Sequence, residues 1–235
     1  MVAVTESLQK ALKHHEAGEL EQAEALYQDI IRVDPGHADA LHLLGVAAHQ
    51  RADHRRGADY IGRAIARQSQ SALYHSNLGA CYRAMNRIPD AVASFREAIR
   101  LQPGFAGARY NLAMALEAAG SVDEALREYR EVLRTSPDFV AALNNLGTLL
   151  SSLGRCDEAV DCFRRAIRRT PESAEFHYNL ANVLSRSGHC QEAVAEYRES
   201  IRLNSNIPEA YNNLATALNS LGRHDEALLE LKRAL

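Results

Sequence analysis

An all-helical array of repeated helix–turn–helix units is predicted for this chain from three observations. The stretch 140–173, VAALNNLGTLLSSLGRCDEAVDCFRRAIRRTPES, lands on itself when shifted by 34 residues in either direction. A fixed period of that order marks repeat architectures. Within each repeat, small and apolar residues recur at steps of three and four, break, and recur. In 140–173 these are Leu143, Leu146, Gly147 and Leu150, then Ala159, Phe163, Ala166 and Ile167. That spacing lays one apolar stripe along each of two helices. Finally, the eighth and twentieth positions of every repeat are Gly or Ala, from Ala11 and Ala23 to Ala215 and Ala227. Two helices must approach closely there, because a large residue would overpack the contact at a cost of about 1–3 kcal/mol.

The same register divides a single array, 1–235, into repeats 4–37, 38–71, 72–105, 106–139, 140–173, 174–207 and a partial seventh, 208–235. Gly18, Gly120, Gly154, Gly188 and Gly222 fall between the two helices of their repeats. Glycine there accepts the left-handed backbone that ends a helix. Asn86 does this job less well, and Ala52 is the exception. Acids open second helices at Asp123-Glu124 and Asp157-Glu158, which suits the helix dipole. Pro35, Pro103, Pro137 and Pro171 close four repeats just before the next helix.

The ends depart from the pattern. Lys10 and His14 stand where other repeats are apolar, which suits a cap facing water, and the second repeat is degenerate at Ala52, Gly57 and Ser69. Leu235 falls in the middle of a second helix. Arrays normally finish with a polar capping element, so a fragment of something longer is expected, with Ala227, Leu228, Leu231 and Ala234 as an apolar edge open to self-association.

Composition excludes several classes. With 46% apolar and 24% charged residues the chain is of ordinary globular composition, and a net charge of −3 gives no reason to expect nucleic acid as its partner. No run of about 18 apolar residues is present, so no membrane span is expected. The opening MVAVTESLQKALKHH does not read as a signal peptide. Cys81, Cys156, Cys162 and Cys190 show no C-x-x-C spacing, which fits reduced thiols in a cytoplasmic setting better than a disulfide framework or a zinc site.

A 34-residue helix pair with Leu-Gly, Ala, an aromatic and Pro at these offsets resembles the tetratricopeptide repeat. The aromatic place holds Tyr27, Phe95, Tyr129, Phe163 and Tyr197, with Ile61 and Leu231 as departures. The family's early Trp is absent; Leu41, His75, Arg109, Leu143, His177 and Tyr211 stand there. The resemblance implies a solenoid of antiparallel helix pairs in a right-handed superhelix with a concave groove.

Asparagine recurs at the sixth position of five consecutive repeats, as Asn77, Asn111, Asn145, Asn179 and Asn213. Mid-helix asparagine costs up to about 0.7 kcal/mol relative to alanine, so its recurrence asks for a reason. In the resembling fold this side of the first helix lines the groove. A ladder of carboxamides there offers donors and acceptors that match a peptide's N–H and C=O, with Asn144, Asn182, Asn212, Tyr110 and Tyr178 as flanking candidates. The alternatives are that these asparagines bond locally or to water, and that the tyrosines pack between repeats. Similar ladders occur in the repeat region of protein O-linked N-acetylglucosamine transferases.

Other constellations are weaker. His14, His15, His42, His49 and His54 cluster early, but none has the H-E-x-x-H spacing of a metal site, so no metal is expected. Arg51, His54, Arg55, Arg56, Arg63 and Arg67, and Arg164, Arg165, Arg168 and Arg169, lie near acids and read as solvated faces. Leu8 and Leu12 occupy places where some members of the family clamp a C-terminal carboxylate, which speaks against that activity. No nucleophile–base pair, phosphate loop or paired carboxylates appear, so neither catalysis nor a cofactor is expected. Two readings follow: a scaffold binding extended segments of partner proteins, or the substrate-recruiting arm of a larger glycosyltransferase.

Overall fold

The structure, a computed structural model, describes residues 2–233. Among these residues it is entirely helical, and its helices fall in pairs. The first pairs are α1 (Val2–Glu16) with α2 (Leu20–Val33), α3 (Ala38–Gln50) with α4 (His54–Arg67), and α5 (Ala72–Ala84) with α6 (Ile88–Leu101). Next come α7 (Ala106–Ala118) with α8 (Val122–Thr135), and α9 (Val140–Ser152) with α10 (Cys156–Arg169). The series closes with α11 (Ala174–Arg186) and α12 (Cys190–Leu203), then α13 (Pro208–Ser220) and α14 (His224–Arg233). This is a solenoid of about seven helix pairs. The chain groups into two compact units, Met1–Glu128 and Tyr129–Leu235.

The turn inside each pair is set by one left-handed residue. Gly154 has φ 74°, and its N–H reaches Ser151 while Arg155 N–H reaches Leu150, so the last carbonyls of α9 are satisfied. The second repeat forms the same turn without glycine. Ala52 takes φ 65°, Ala52 N–H bonds His49 O and Asp53 N–H bonds Ala48 O. Left-handed backbone costs an alanine about 1–2 kcal/mol, part of which glycine's extra entropy offsets. Ala52 is exposed, so nothing in packing changes when its methyl is lost. Ala52→Gly should therefore raise stability by about 0.5–1 kcal/mol, read from the urea midpoint; a lower midpoint would refute the strain argument.

The eighth position and the aromatic place vary together. Where the aromatic place holds phenylalanine, the eighth position is glycine and the ring sits on it: an added Cβ at Gly79 would lie 2.7 Å from Phe95, and one at Gly147 would lie 2.9 Å from Phe163, while Gly45 meets Ile61 instead. Where the eighth position is alanine, the aromatic is tyrosine, as in Ala11 with Tyr27 and Ala181 with Tyr197. The tyrosine hydroxyls are held toward the first-helix face. Tyr27 O–H meets His15 Nδ1 at 3.2 Å, Tyr197 O–H donates to Asn182 Oδ1 at 2.7 Å, and Tyr129 O–H accepts from Asn145 Nδ2 at 3.5 Å. We infer that a hydroxyl anchored there holds the ring off the eighth position and so leaves room for a methyl. Phenylalanine has no such tether and packs inward onto glycine.

In three repeats the missing tryptophan is replaced by a polar link. His75 Nε2, Arg109 Nη2 and His177 Nε2, all at that place, reach the carbonyls of Ser69, Pro103 and Pro171 at 3.0, 3.3 and 3.0 Å, at the close of the preceding repeat. Arg109 and His177 also meet Glu128 and Glu196 on the second helix of their own pair, each at 2.6 Å. On the outer face, arginines bridge successive second helices at a constant offset. Arg96 pairs with Glu124, Arg130 with Glu158, Arg164 with Glu192 and Arg198 with Glu226, all at 2.7–3.0 Å. These pairs are exposed and individually worth less than about 1 kcal/mol, so they fix register more than they add stability.

At the far end Ala227 is buried, while Leu228, Leu229 and Leu231 are 55%, 50% and 40% exposed. Ala234, part of the expected open edge, lies outside the described residues.

Candidate functional site

Every candidate of the ladder lies on a first helix. Asn77 is on α5, and Tyr110 and Asn111 are on α7; Asn144 and Asn145 are on α9, Tyr178, Asn179 and Asn182 on α11, and Asn212 and Asn213 on α13. All are half-buried except Asn212, which is exposed. Burial of one edge of each carboxamide calls for partners, and for Asn77, Asn179 and Asn213 the partners come from the preceding first helix. Asn179 Nδ2 donates to Asn144 Oδ1 at 3.2 Å, and Asn213 Nδ2 donates to Tyr178 O–H at 3.2 Å and to Asn182 Oδ1 at 3.0 Å. In the first unit Asn77 Nδ2 meets His42 Nε2 at 2.8 Å. Each link runs from a sixth position to the fifth of the previous repeat, with Asn182 as an added acceptor. The ladder thus joins repeat to repeat, using its Nδ2 groups. Asn144 Nδ2 in turn donates to Glu175 Oε1 at 3.1 Å.

In the second unit three of these asparagines, Asn179, Asn182 and Asn213, line one open pocket of about 480 Å³. Its walls are the first helices α9, α11 and α13, and its floor is Phe163 and Tyr197 from second helices. Burial raises the Tyr197 hydroxyl well above its ordinary pKa, so it stays protonated and keeps donating to Asn182. Tyr178 stands beside it, ring centroids 6.1 Å apart. The pocket also takes in Thr148, Ser151, Ser185, Arg186 and Thr216, which motif reasoning passed over. The signal was there. The ninth position reads Leu12, Val46, Ala80 and Met114 in the early repeats and turns polar as Thr148, Asn182 and Thr216 in the later ones.

The early histidines sit in hydrogen bonds. His15 Nε2 meets Gln50 Oε1 at 2.8 Å, and His49 Nδ1 meets His54 Nδ1 at 3.0 Å. His42 is buried and stacked on Tyr74 at 4.3 Å, and burial pushes its pKa down to about 4, so it is neutral and accepts from Asn77. Among the described residues no group of three His, Cys, Asp or Glu side chains is placed to hold a metal ion. The basic stretches face acids: Arg56 meets Glu24, Arg165 meets Asp161 and Arg169 meets Asp138. The four cysteines are free; burial pushes the Cys81 and Cys162 thiols up to about 11, which keeps them protonated. No described helix is long and apolar enough to cross a membrane.

Residues 8–72, 50–104, 82–139 and 178–235 match one description of the tetratricopeptide repeat, and residues 138–206 match a second. The matches run through nearly the whole chain, which belongs to the tetratricopeptide repeat family. No curated protein sequence matches it. Among solved structures, pilF of Pseudomonas aeruginosa superposes with a TM-score of 0.78 at 18% identity, covering 88% of this chain and 95% of that one. YrrB, described as a TPR protein with an unusual peptide-binding site, gives 0.66 at 17% identity over 78% of this chain and 95% of its own. MamA from Desulfovibrio magneticus RS-1 gives 0.66 at 15% identity, covering 69% and 92%. At these identities the likeness is one of fold.

Proposed function

We propose that this chain is a protein-interaction scaffold that holds an extended segment of a partner protein along its first helices and performs no chemistry of its own. The observation that carries the reading is the pocket walled by three successive first helices, where Asn179 and Asn182 of α11 meet Asn213 of α13. The carboxamide groups not used between repeats, Asn179 Oδ1 and Asn213 Oδ1 among them, match a peptide backbone in kind, and backbone contacts make little demand on the partner's sequence. The fold likeness to YrrB, a protein with a peptide-binding site, points the same way. Each such hydrogen bond contributes about 0.5–1.5 kcal/mol net, so affinity after ordering costs should be roughly micromolar at best.

The test is Asn179→Ala combined with Asn213→Ala, titrated with a carboxymethylated, unfolded test protein. Binding should weaken about tenfold, the loss of two such bonds. Far-UV circular dichroism should show helicity retained, with a lower melting temperature because the same side chains also join repeats. A lower melting temperature with unchanged binding would leave the ladder a structural device only.

A further inference from the structure

We infer that the pocket on α9, α11 and α13 contains a subsite for an anionic side chain, a carboxylate or a phosphate, on the extended segment bound there; this rests on the peptide-groove reading above. The residues lining the pocket include one cation, Arg186, and no acid. That balance is unusual for this molecule. In Tyr129–Leu235 every described arginine except Arg168 and Arg186 pairs with a carboxylate, and Arg168 does not line the pocket. A second pocket, lined by residues of α8, α9 and α10, is the contrast: Arg130, Arg134 and Arg165 line it together with Asp157, Glu158 and Asp161, so its charges cancel. Arg186 instead donates to a neutral hydroxyl, Ser151 Oγ, at 3.0 Å.

Two neighbouring polar groups, Asn182 and Ser151, are turned the same way, while Asn179 Oδ1 and Asn213 Oδ1 stay as acceptors for the segment's backbone N–H groups. Asn182 Oδ1 already accepts from Tyr197 O–H and Asn213 Nδ2, so Asn182 has only its Nδ2 hydrogens to offer a ligand. Ser151 Oγ accepts from Arg186 and keeps its own hydrogen to donate. A guanidinium, a carboxamide N–H group and hydroxyls lining one pocket with no acid among them suit an anion, and bonds from such donors to an ionised acceptor are about twice as strong as neutral ones. The site is also particular to α11. The thirteenth position reads Glu16, Gln50, Ala84, Ala118, Ser152 and Ser220 in the other repeats, so the cation marks one register of the bound segment.

The experiment is selection of short random peptides displayed on phage against the wild-type chain and against Arg186→Gln, whose exposed side chain can be cut back without disturbing the core. The wild-type pool should be enriched in Asp or Glu at one register, and the Arg186→Gln pool should lack that enrichment. For a selected peptide, changing the acid to its amide should weaken wild-type binding about tenfold and Arg186→Gln binding less than about twofold, with Arg186→Lys in between. Phosphoserine at the same register separates the two sources: tighter binding than the acid marks a phosphate site, weaker binding a carboxylate site. A populated wild-type pool with no acid enrichment overturns the anion subsite and leaves the groove reading standing. An empty wild-type pool overturns both.

Discussion

Gly147→Ala is expected to destabilise the second unit by about 2 kcal/mol, and adding Phe163→Tyr is expected to return most of that loss. The new Cβ would lie 2.9 Å from the Phe163 ring tip and 3.0 and 3.1 Å from its two flanking atoms. Phe163 is 1% exposed and packed among core residues, so shifting its ring puts the overpacking cost near the upper end, about 3 kcal/mol. Alanine's better helix propensity returns about 1 kcal/mol of it. In the three repeats that pair alanine here with tyrosine, the tyrosine hydroxyl bonds toward the first-helix face. The hydroxyl added by Phe163→Tyr would meet Thr148, Ser151 and Asn179, which line the pocket that Phe163 floors. Urea unfolding of both single variants and the double gives the coupling. Additive losses would mean that the pairing of glycine with phenylalanine and alanine with tyrosine has no packing cause.

The second large effect is expected at Glu24. The residue is 7% exposed, and its Oε1 has no hydrogen-bond partner among the described residues. Two cations from the next repeat compensate it: Arg56 Nη1 lies 3.3 Å from Oε2 and Arg51 Nε 4.0 Å from Oε1. Taking both away with Arg51→Ala and Arg56→Ala strands a buried charge. Breaking a fully buried pair costs 3–5 kcal/mol; the half-exposed arginines let water in and bring the expected loss down to about 3 kcal/mol. Adding Glu24→Gln to that double variant removes the charge and should recover more than half. Thermal and urea midpoints decide it, and a triple variant no more stable than the double would show that the arginines act through packing of their stems.

The 34-residue period and the small residues at the eighth and twentieth positions were enough to specify a solenoid of helix pairs. Both are local: the period places the stripes, and a Gly or Ala stripe admits only a close helix partner. The asparagine row was equally plain, because a costly residue recurring at one register stands out against alanine. Its partners were not legible. The bonds from Asn179 to Asn144 and from Asn213 to Tyr178 span 35 residues, one more than the period, so they depend on how far each helix is rotated against the previous one. The same holds for the outer arginine–glutamate bridges and for Glu24. Residue type alone marks such groups as ordinary surface charges, and only packing shows which are matched, which are buried, and that Arg186 is left facing a pocket with no acid in its lining. The sequence by itself determined that the helices pair and stack. The tertiary structure decided which polar groups the stacking uses up and which it leaves for a partner, because satisfaction of a hydrogen bond or a charge depends on three-dimensional neighbours that no single repeat contains.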